Sequence, residues 1–287
     1  MKPAAFEYCR PDTLDEALEL LQEFGSDASV LAGGMSLGAM LNMRLVRPAA
    51  VVDIKRIPGL DAAIVGDEIR IGATFTQARA LEHDALMLEL PLLALALPWV
   101  GHFQTRNRGT LAGSVAHADP SAEIPLVLTT LDGDVELQST RGTRRVRARE
   151  FFVDIMTTAR AQDELLTALL WPARQPGTRR AFVEIAQRHG DFAIVACAVE
   201  TVVDAQGRVV SLTMGLGGVE SVPVVTDAAE FMGERAGPAL AEAIAAASAK
   251  RVDPMTDFKV SAAYRRALVE SLGAKAIAET FAAGPTN

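Results

Sequence analysis

Two glycine-bearing stretches carry the residue types that can hold an anion. The first, Leu31-Ala32-Gly33-Gly34-Met35-Ser36-Leu37-Gly38, leaves a short apolar run and precedes a second one, Ala49-Ala50-Val51-Val52-Asp53-Ile54. A Gly-Gly pair after a strand lets the backbone curl tightly, because glycine takes φ > 0 at no steric cost and has no Cβ to block a ligand. Successive N–H groups in such a turn converge, and a phosphate satisfies them. The second stretch runs from Thr110 through Leu111, Ala112, Gly113, Ser114 and His117 to Asp119 and Pro120. It offers the Thr110 and Ser114 hydroxyls and the N–H groups of Leu111 to Ser114 as further donors. Each stretch alone reads equally well as a structural turn. Together they suit one elongated cleft for a dinucleotide, with its pyrophosphate at the middle. Glu123, one helical turn further on, is the candidate acceptor for ribose hydroxyls, whereas Asp119, followed by proline, reads as a turn or cap residue.

The surrounding pattern predicts the elements that must position these stretches. Thr13 and Glu16 form a capping box, and Leu14, Ala17, Leu18, Leu21 and Phe24 follow at helical spacing until Gly25 ends the helix. A strand to Leu31, a helical turn from Leu37 to Met43 and a strand from Val51 to Ile54 complete a β-α-β-like unit. Ala63-Ile64-Val65 and Glu68-Ile69-Arg70-Ile71 flank Gly66-Asp67 as a hairpin. Helices are predicted over 74–85 and 86–97, the second apolar nearly all round and therefore buried, and over 121–130. Strands are predicted at 134–138, 144–147 and 165–171. Beyond them come a three-stranded antiparallel meander over 180–187, 193–204 and 208–215, then helices over 226–232, 238–250 and 260–281. Texture changes place boundaries so that 1–56, 57–174 and 175–287 form three parts.

Composition narrows the function. The 287 residues, 49% of them apolar, are enough for a sizeable core, and a formal net charge of −8 argues against a nucleic-acid partner. Cys9 and Cys197 lie far apart with no C-x-x-C spacing, so neither a zinc nor an iron–sulfur site is readable. The apolar run over 86–100 is cut by Glu89, Pro91 and Pro98 and falls short of the roughly 20 residues of a membrane helix. The N-terminus lacks the apolar core of a signal peptide, and a cytoplasmic protein is the expectation. His102 and His117 have no carboxylate or cysteine at a triad or metal-site spacing, and neither is assigned a catalytic role. The arginines from 141 to 149 read as the exposed face of a hairpin.

Ala32-Gly33-Gly34-Met35-Ser36-Leu37 resembles the A-G-G-x-S-L motif of the FAD-binding medium subunits of molybdenum hydroxylases, the group of the carbon monoxide dehydrogenase flavoprotein subunit and the xanthine dehydrogenase FAD domain. Arg106-Asn107-Arg108-Gly109-Thr110-Leu111-Ala112-Gly113-Ser114, running into Ala118-Asp119-Pro120 and Glu123, is similar to the family's R-N-x-G-T-I-G-G-S/N … A-D-P-x-x-E/D stretch. Leu165-Leu166-Thr167-Ala168 up to Pro172, Arg188-His189-Gly190-Asp191-Phe192-Ala193, and Asp253-Pro254 with Tyr264-Arg265 match further family segments in order along the whole chain.

The resemblance implies an α+β fold: a two-part FAD-binding domain of vanillyl-alcohol-oxidase type, followed by a C-terminal three-stranded antiparallel sheet with helices. It implies that Leu31 to Leu37 cradle the FAD pyrophosphate and that Thr110 to Ser114 add contacts. Glu123 would reach the adenosine ribose, Leu166 would pack against the flavin region, and Asp191 would lie near the isoalloxazine. No residue would attack the organic substrate. That oxidation would occur at a molybdopterin site in a large subunit, and electrons would travel through two 2Fe-2S clusters of a small subunit to FAD and then to an external acceptor. A dimer of heterotrimers is the implied assembly. Two departures stand out. Ala112 replaces a glycine, so its backbone must avoid φ > 0 or carry strain. Glu184 stands where many relatives have lysine, and a carboxylate there would not polarise the flavin's pyrimidine edge as a lysine would. Two other readings remain on the residues alone. A self-contained flavin oxidase would reduce its own flavin with an organic donor, and a non-enzymatic nucleotide-binding module would purify colourless.

Overall fold

The structure is a computed structural model and describes residues 2–282. The chain opens on a small parallel sheet, in which β1 (Glu7–Cys9) and β2 (Ala28–Leu31) flank a fully buried central β3 (Ala50–Asp53). α1 (Leu14–Phe24) and α2 (Leu37–Met43) make the connections. Thr13 starts α1 as its spacing predicts. Its Oγ1 accepts from the Glu16 N–H at 3.2 Å, and the Glu16 carboxylate accepts from the Thr13 N–H at 3.3 Å. Two donors that a helix start leaves open are thereby satisfied.

An antiparallel five-stranded sheet follows, in the order β4 (Ala63–Ile64), β5 (Glu68–Gly72), β10 (Leu165–Pro172), β6 (Asp134–Ser139) and β7 (Gly142–Arg147). Between β5 and β6 run α3 (Gln77–Leu81), α4 (Asp84–Glu89), α5 (Pro91–Ala96), α6 (Phe103–Arg108), α7 (Leu111–His117) and α8 (Glu123–Thr130). α9 (Ala148–Phe151) and the two-stranded ribbon β8 (Phe152–Asp154) with β9 (Thr157–Thr158) precede β10.

The two helices expected over 74–85 and 86–97 are instead three short ones. His83 Nδ1 accepts from the Leu86 N–H at 3.2 Å and so caps a new start, and Pro91, which has no N–H to give, opens α5. Leu88 and Leu95 are exposed, so this apolar run is buried on one side and not all round. The arginines of this hairpin strand β7 are exposed as predicted, and the neighbours Arg144 and Arg145, on opposite faces, pair with Glu164 and Glu68.

β11 (Thr178–Ile185), β12 (Val195–Val203) and β13 (Val209–Gly217) form the expected meander, but β14 (Val224–Asp227) adds a fourth strand alongside β13. The three-stranded sheet and the helix over 226–232 are therefore corrected. Val224, Val225 and Thr226 are β-branched and favour a pleated partner over a helix. Only a single 3-10 turn over 229–231 remains of that helix. α10 (Pro238–Arg251) and α11 (Ala262–Ala282) cover one face of the sheet.

Two cores result. One joins the first and second sheets without a break, from Leu18 and Val52 to Ile71, Leu128 and Trp171, and extends to Phe182, Ala196 and Ala198. The other lies between the C-terminal sheet and its helices, around Val183, Cys197, Val199, Ile244 and Ile277. Strand alternation explains the division, because neighbours on β11 and β12 point to opposite faces.

Candidate functional site

Leu31 ends β2 at the carboxyl edge of the parallel sheet, where open α/β sheets leave room for ligands. The chain then turns through Gly34 at φ +74°, a conformation costly to any side-chain-bearing residue. The Gly38 N–H donates to the Gly34 carbonyl at 2.9 Å and starts α2. The N–H groups from Gly33 to Leu37 find no acceptor among the described residues, and the Ser36 hydroxyl makes no capping bond. Open amides at a helix start form the donor set that a pyrophosphate requires. At the same sheet edge the Tyr8 hydroxyl donates to Asp53 at 2.5 Å, and Lys55 Nζ stands 3.2 Å from the same carboxylate. Sequence reading left this trio unassigned, although an acid at the end of the apolar run over 49–52 was its signal.

The two glycine stretches meet. A Cβ on Gly33 would lie 2.2 Å from the Arg108 carbonyl oxygen and 3.0 Å from Gly109 Cα, so only glycine permits the approach. Arg106 orders the preceding loop by donating to the carbonyls of Val100 and Gly101 at 2.9 and 3.0 Å. The buried Gln77 side chain packs against Gly109, and its Oε1 has no hydrogen-bond partner.

The second turn differs from its expected role. Thr110 Oγ1 caps α7 by accepting from the Gly113 N–H at 2.9 Å, and the Thr110 carbonyl accepts from the Ser114 N–H at 3.2 Å. The Leu111 N–H donates to the Phe75 carbonyl at 3.2 Å. The Leu111, Gly113 and Ser114 amides are used inside the protein, which corrects their reading as free donors, whereas the Thr110 hydroxyl accepts and keeps its own proton to donate. Leu111 and Ala112 are buried, and Ser114 is half-buried. Ala112 sits in the first turn of α7 without positive φ, so its replacement of glycine stores no backbone strain.

Glu123 opens α8 and is buried. Loss of water pushes its carboxyl up to about 7, and the charge of Asp119 adds to the rise. Leu166 lies buried in β10 beside a register shift at Leu166/Ala168. Asp191 sits in the exposed turn after β11, its N–H donating to the Arg188 carbonyl at 3.1 Å. That turn rests on the start of α6. Gly190 abuts Gly101 and His102, and the His189 and Trp99 rings are 5.5 Å apart. Asp191 and the Gly33 contact thus lie towards opposite ends of α6, which spans about 9 Å at 1.5 Å per residue. Arg265 and Arg266, matched in the C-terminal motif, serve the fold: they donate to the carbonyls of Met255, Ala249 and Val252.

The chain's arrangement fits a dinucleotide: open amides next to a left-handed glycine, and a backbone approach that a side chain would close. Among the described residues no group of His, Cys, Asp and Glu could hold a metal ion, and no helix is long and apolar enough to cross a membrane.

Residues 4–174 match the family described as the FAD binding domain in molybdopterin dehydrogenase, and residues 180–280 match the carbon monoxide dehydrogenase flavoprotein C-terminal domain. The nicotine 6-hydroxylase medium subunit of Paenarthrobacter nicotinovorans is 38% identical over 98% of this chain and 99% of its own length. The 6-hydroxypseudooxynicotine dehydrogenase complex subunit alpha of the same organism is 35% identical over 98% and 96%. Among solved structures, the carbon monoxide dehydrogenase of Hydrogenophaga pseudoflava, in a form lacking the Mo-pyranopterin moiety of its molybdenum cofactor, superposes with a TM-score of 0.93. It is 31% identical and covers 98% of this chain and 99% of that one. With matches of this extent over a mixed α/β fold, the chain belongs to the FAD-binding subunits of the molybdopterin dehydrogenases, which are oxidoreductases.

Proposed function

We propose that the chain holds FAD across its first two sheets, as a two-part unit of vanillyl-alcohol-oxidase type spanning 1–56 and 57–174, with 175–287 as a separate C-terminal part. The observation that carries this reading is the run of open amides from Gly33 to Leu37, pressed by Gly33 against the Arg108–Gly109 backbone. When bound, the flavin supplies two-electron and one-electron chemistry within one ring system, which lets it join carriers of different electron count. The protein's part is to bind and orient. The amides of Ala32 to Leu37 and the Ser36 hydroxyl take the pyrophosphate, helped by the positive end of α2. Glu123 accepts from ribose hydroxyls, Ser114 borders the cleft, Leu166 closes it with apolar surface, and the turn carrying Asp191 lies towards the ring.

The partners follow from the family's division of labour. A molybdopterin-containing large subunit oxidises the substrate, and a small subunit with 2Fe-2S clusters delivers the electrons. We propose a dimer of such heterotrimers in the cytoplasm, with an external acceptor receiving the electrons. Among the described residues we assign no side chain to attack on an organic substrate. A self-contained oxidase finds no support at His102 or His117, which lie at the start of α6 and the end of α7 with no carboxylate bonded to either.

An absorption spectrum of the purified chain, with the chromophore released and identified, tests the reading. Flavin bands and released FAD are expected, without bleaching when candidate substrates are added. Bleaching by substrate alone would establish a self-contained oxidase. Glu123→Ala should weaken FAD binding by about 1–3 kcal/mol, the range for a hydrogen bond to a charged group. Unchanged affinity would remove Glu123 from the ribose.

A further inference from the structure

A second buried carboxyl lies close enough to Glu123 to feel its charge, on the strand of the C-terminal sheet that turns one face to the first core. Glu184 lies on β11, two residues from Phe182, and so points with it to the side of the first core. It is only 7% exposed, and neither of its oxygens has a hydrogen-bond partner among the described residues. An orphaned carboxylate in such a place would cost several kcal/mol.

The surroundings offer no countercharge. On β12 the residue beside Glu184 is Ala196, and Ala198 follows on the same face. The next residue on that face is Glu200, which closes with Arg180 at 2.5 Å and leaves that guanidinium occupied. α5, packed on the same strand, contains no ionisable side chain. α8 contributes Glu123, with Asp119 before it. Glu123 is the one charged group acting on Glu184, and no lysine, arginine or histidine acts on either carboxyl. Two carboxylates so placed cannot both ionise near neutrality. Burial, and then the charge of Glu123, pushes the Glu184 carboxyl up to about 8.

We propose that Glu123 and Glu184 work as one unit holding a single proton, with Glu184 the neutral acid and Glu123 the carboxylate, and that FAD closes this unit. A sugar hydroxyl of the cofactor both donates and accepts, and the pairing with Glu123 would put Glu184 at that sugar and not at the pyrimidine edge that the resemblance implied. The hydroxyl can donate to Glu123 and accept from the Glu184 O–H, giving the unpartnered Glu184 carboxyl its hydrogen bond. Glu184 is then a cofactor-positioning residue that works only while protonated, and FAD affinity is tied to pH. This inference rests on the reading of Glu123 as the ribose acceptor.

The test uses the full chain depleted of flavin. FAD affinity is measured by quenching of flavin fluorescence from pH 6.5 to 9, in wild type, Glu184→Gln and Glu184→Ala. Wild type should bind more weakly at the alkaline end, approaching about tenfold per pH unit once the pair has lost its proton. Glu184→Gln keeps a donor at every pH and should bind with a flat profile from about pH 8 upward, where Glu123 is ionised, whereas Glu184→Ala should bind weakly throughout. A flat wild-type profile, or the same slope in Glu184→Gln, overturns the proposal. A second measurement needs no variant. In a chain labelled with 13C at the glutamate carboxyls, one resonance should titrate above pH 7, and titration of all glutamates below pH 6 also overturns it. Absence of FAD binding at every pH would instead sink the proposed function, while FAD binding indifferent to pH would sink this inference alone.

Discussion

The two turns that look alike in the sequence are built for different work. The turn over 31–38 leaves its amides from Gly33 to Leu37 without acceptors, and its one demanding residue, Gly34, accepts a left-handed backbone to do so. The turn over 110–114 uses its amides at once: Gly113 and Ser114 donate back to Thr110, and Leu111 reaches Phe75. In the proposed function the first turn is the receptor, and the second is the wall against which it is pressed. The difference teaches that a glycine-rich turn becomes an anion site through what its amides are denied, and glycine count alone does not reveal this.

The contrast can be broken most decisively at Gly33. Gly33→Val places its Cβ 2.2 Å from the Arg108 carbonyl, and rigid backbone cannot yield as a side-chain tip would. The expected result is loss of bound flavin together with destabilisation of at least about 3 kcal/mol, the upper part of the overpacking range. Retention of full flavin in a folded variant would show that the turn and the wall need not touch. Gly34→Ala should have a middling effect. Its Cβ meets only the Leu31 Cδ1 at 3.0 Å, so the cost is the left-handed backbone, about 1–2 kcal/mol. FAD affinity should fall roughly tenfold if the turn relaxes away from its receptor shape, and an unchanged dissociation constant would mean that the amides hold without it. Thr110→Ala sharpens the comparison from the other side. Losing the α7 cap should lower stability by about 1 kcal/mol, read by denaturant unfolding, with FAD affinity kept within about threefold. An affinity loss larger than that would return the second turn to the receptor.

Local rules reached far along this chain. Thr13 and Glu16 announced α1, and the strands on either side of the first turn stood in apolar runs. What escaped was whatever depended on distant partners. The Ala228-Ala229-Glu230-Phe231-Met232 segment has helical composition, yet β13 offered an open edge and Val224 to Asp227 took it. The run over 86–97 looked like one helix because periodicity does not register a cap such as His83 or a break such as Pro91. The first turn's glycines were readable as a candidate receptor. That Gly33 leans on Arg108, that Leu111 is spent on Phe75, and that Glu184 is buried without a partner are facts of tertiary structure. No spacing along the chain encodes them.

The C-terminal sheet gives one face to each of the two cores, with Phe182, Ala196 and Ala198 on one side and Val183, Cys197 and Val199 on the other. It is a party wall, and a party wall cannot be demolished for one tenant only. A fragment ending before β11 would leave apolar side chains of α5 and α8 facing water, and a fragment beginning there would expose the matching face of the sheet. The peptide between Pro172 and Thr178 is thus a thin tether beside a broad shared surface. Two halves split at that tether have reason to find each other again, whereas either half grafted onto a foreign partner would carry an open seam into it.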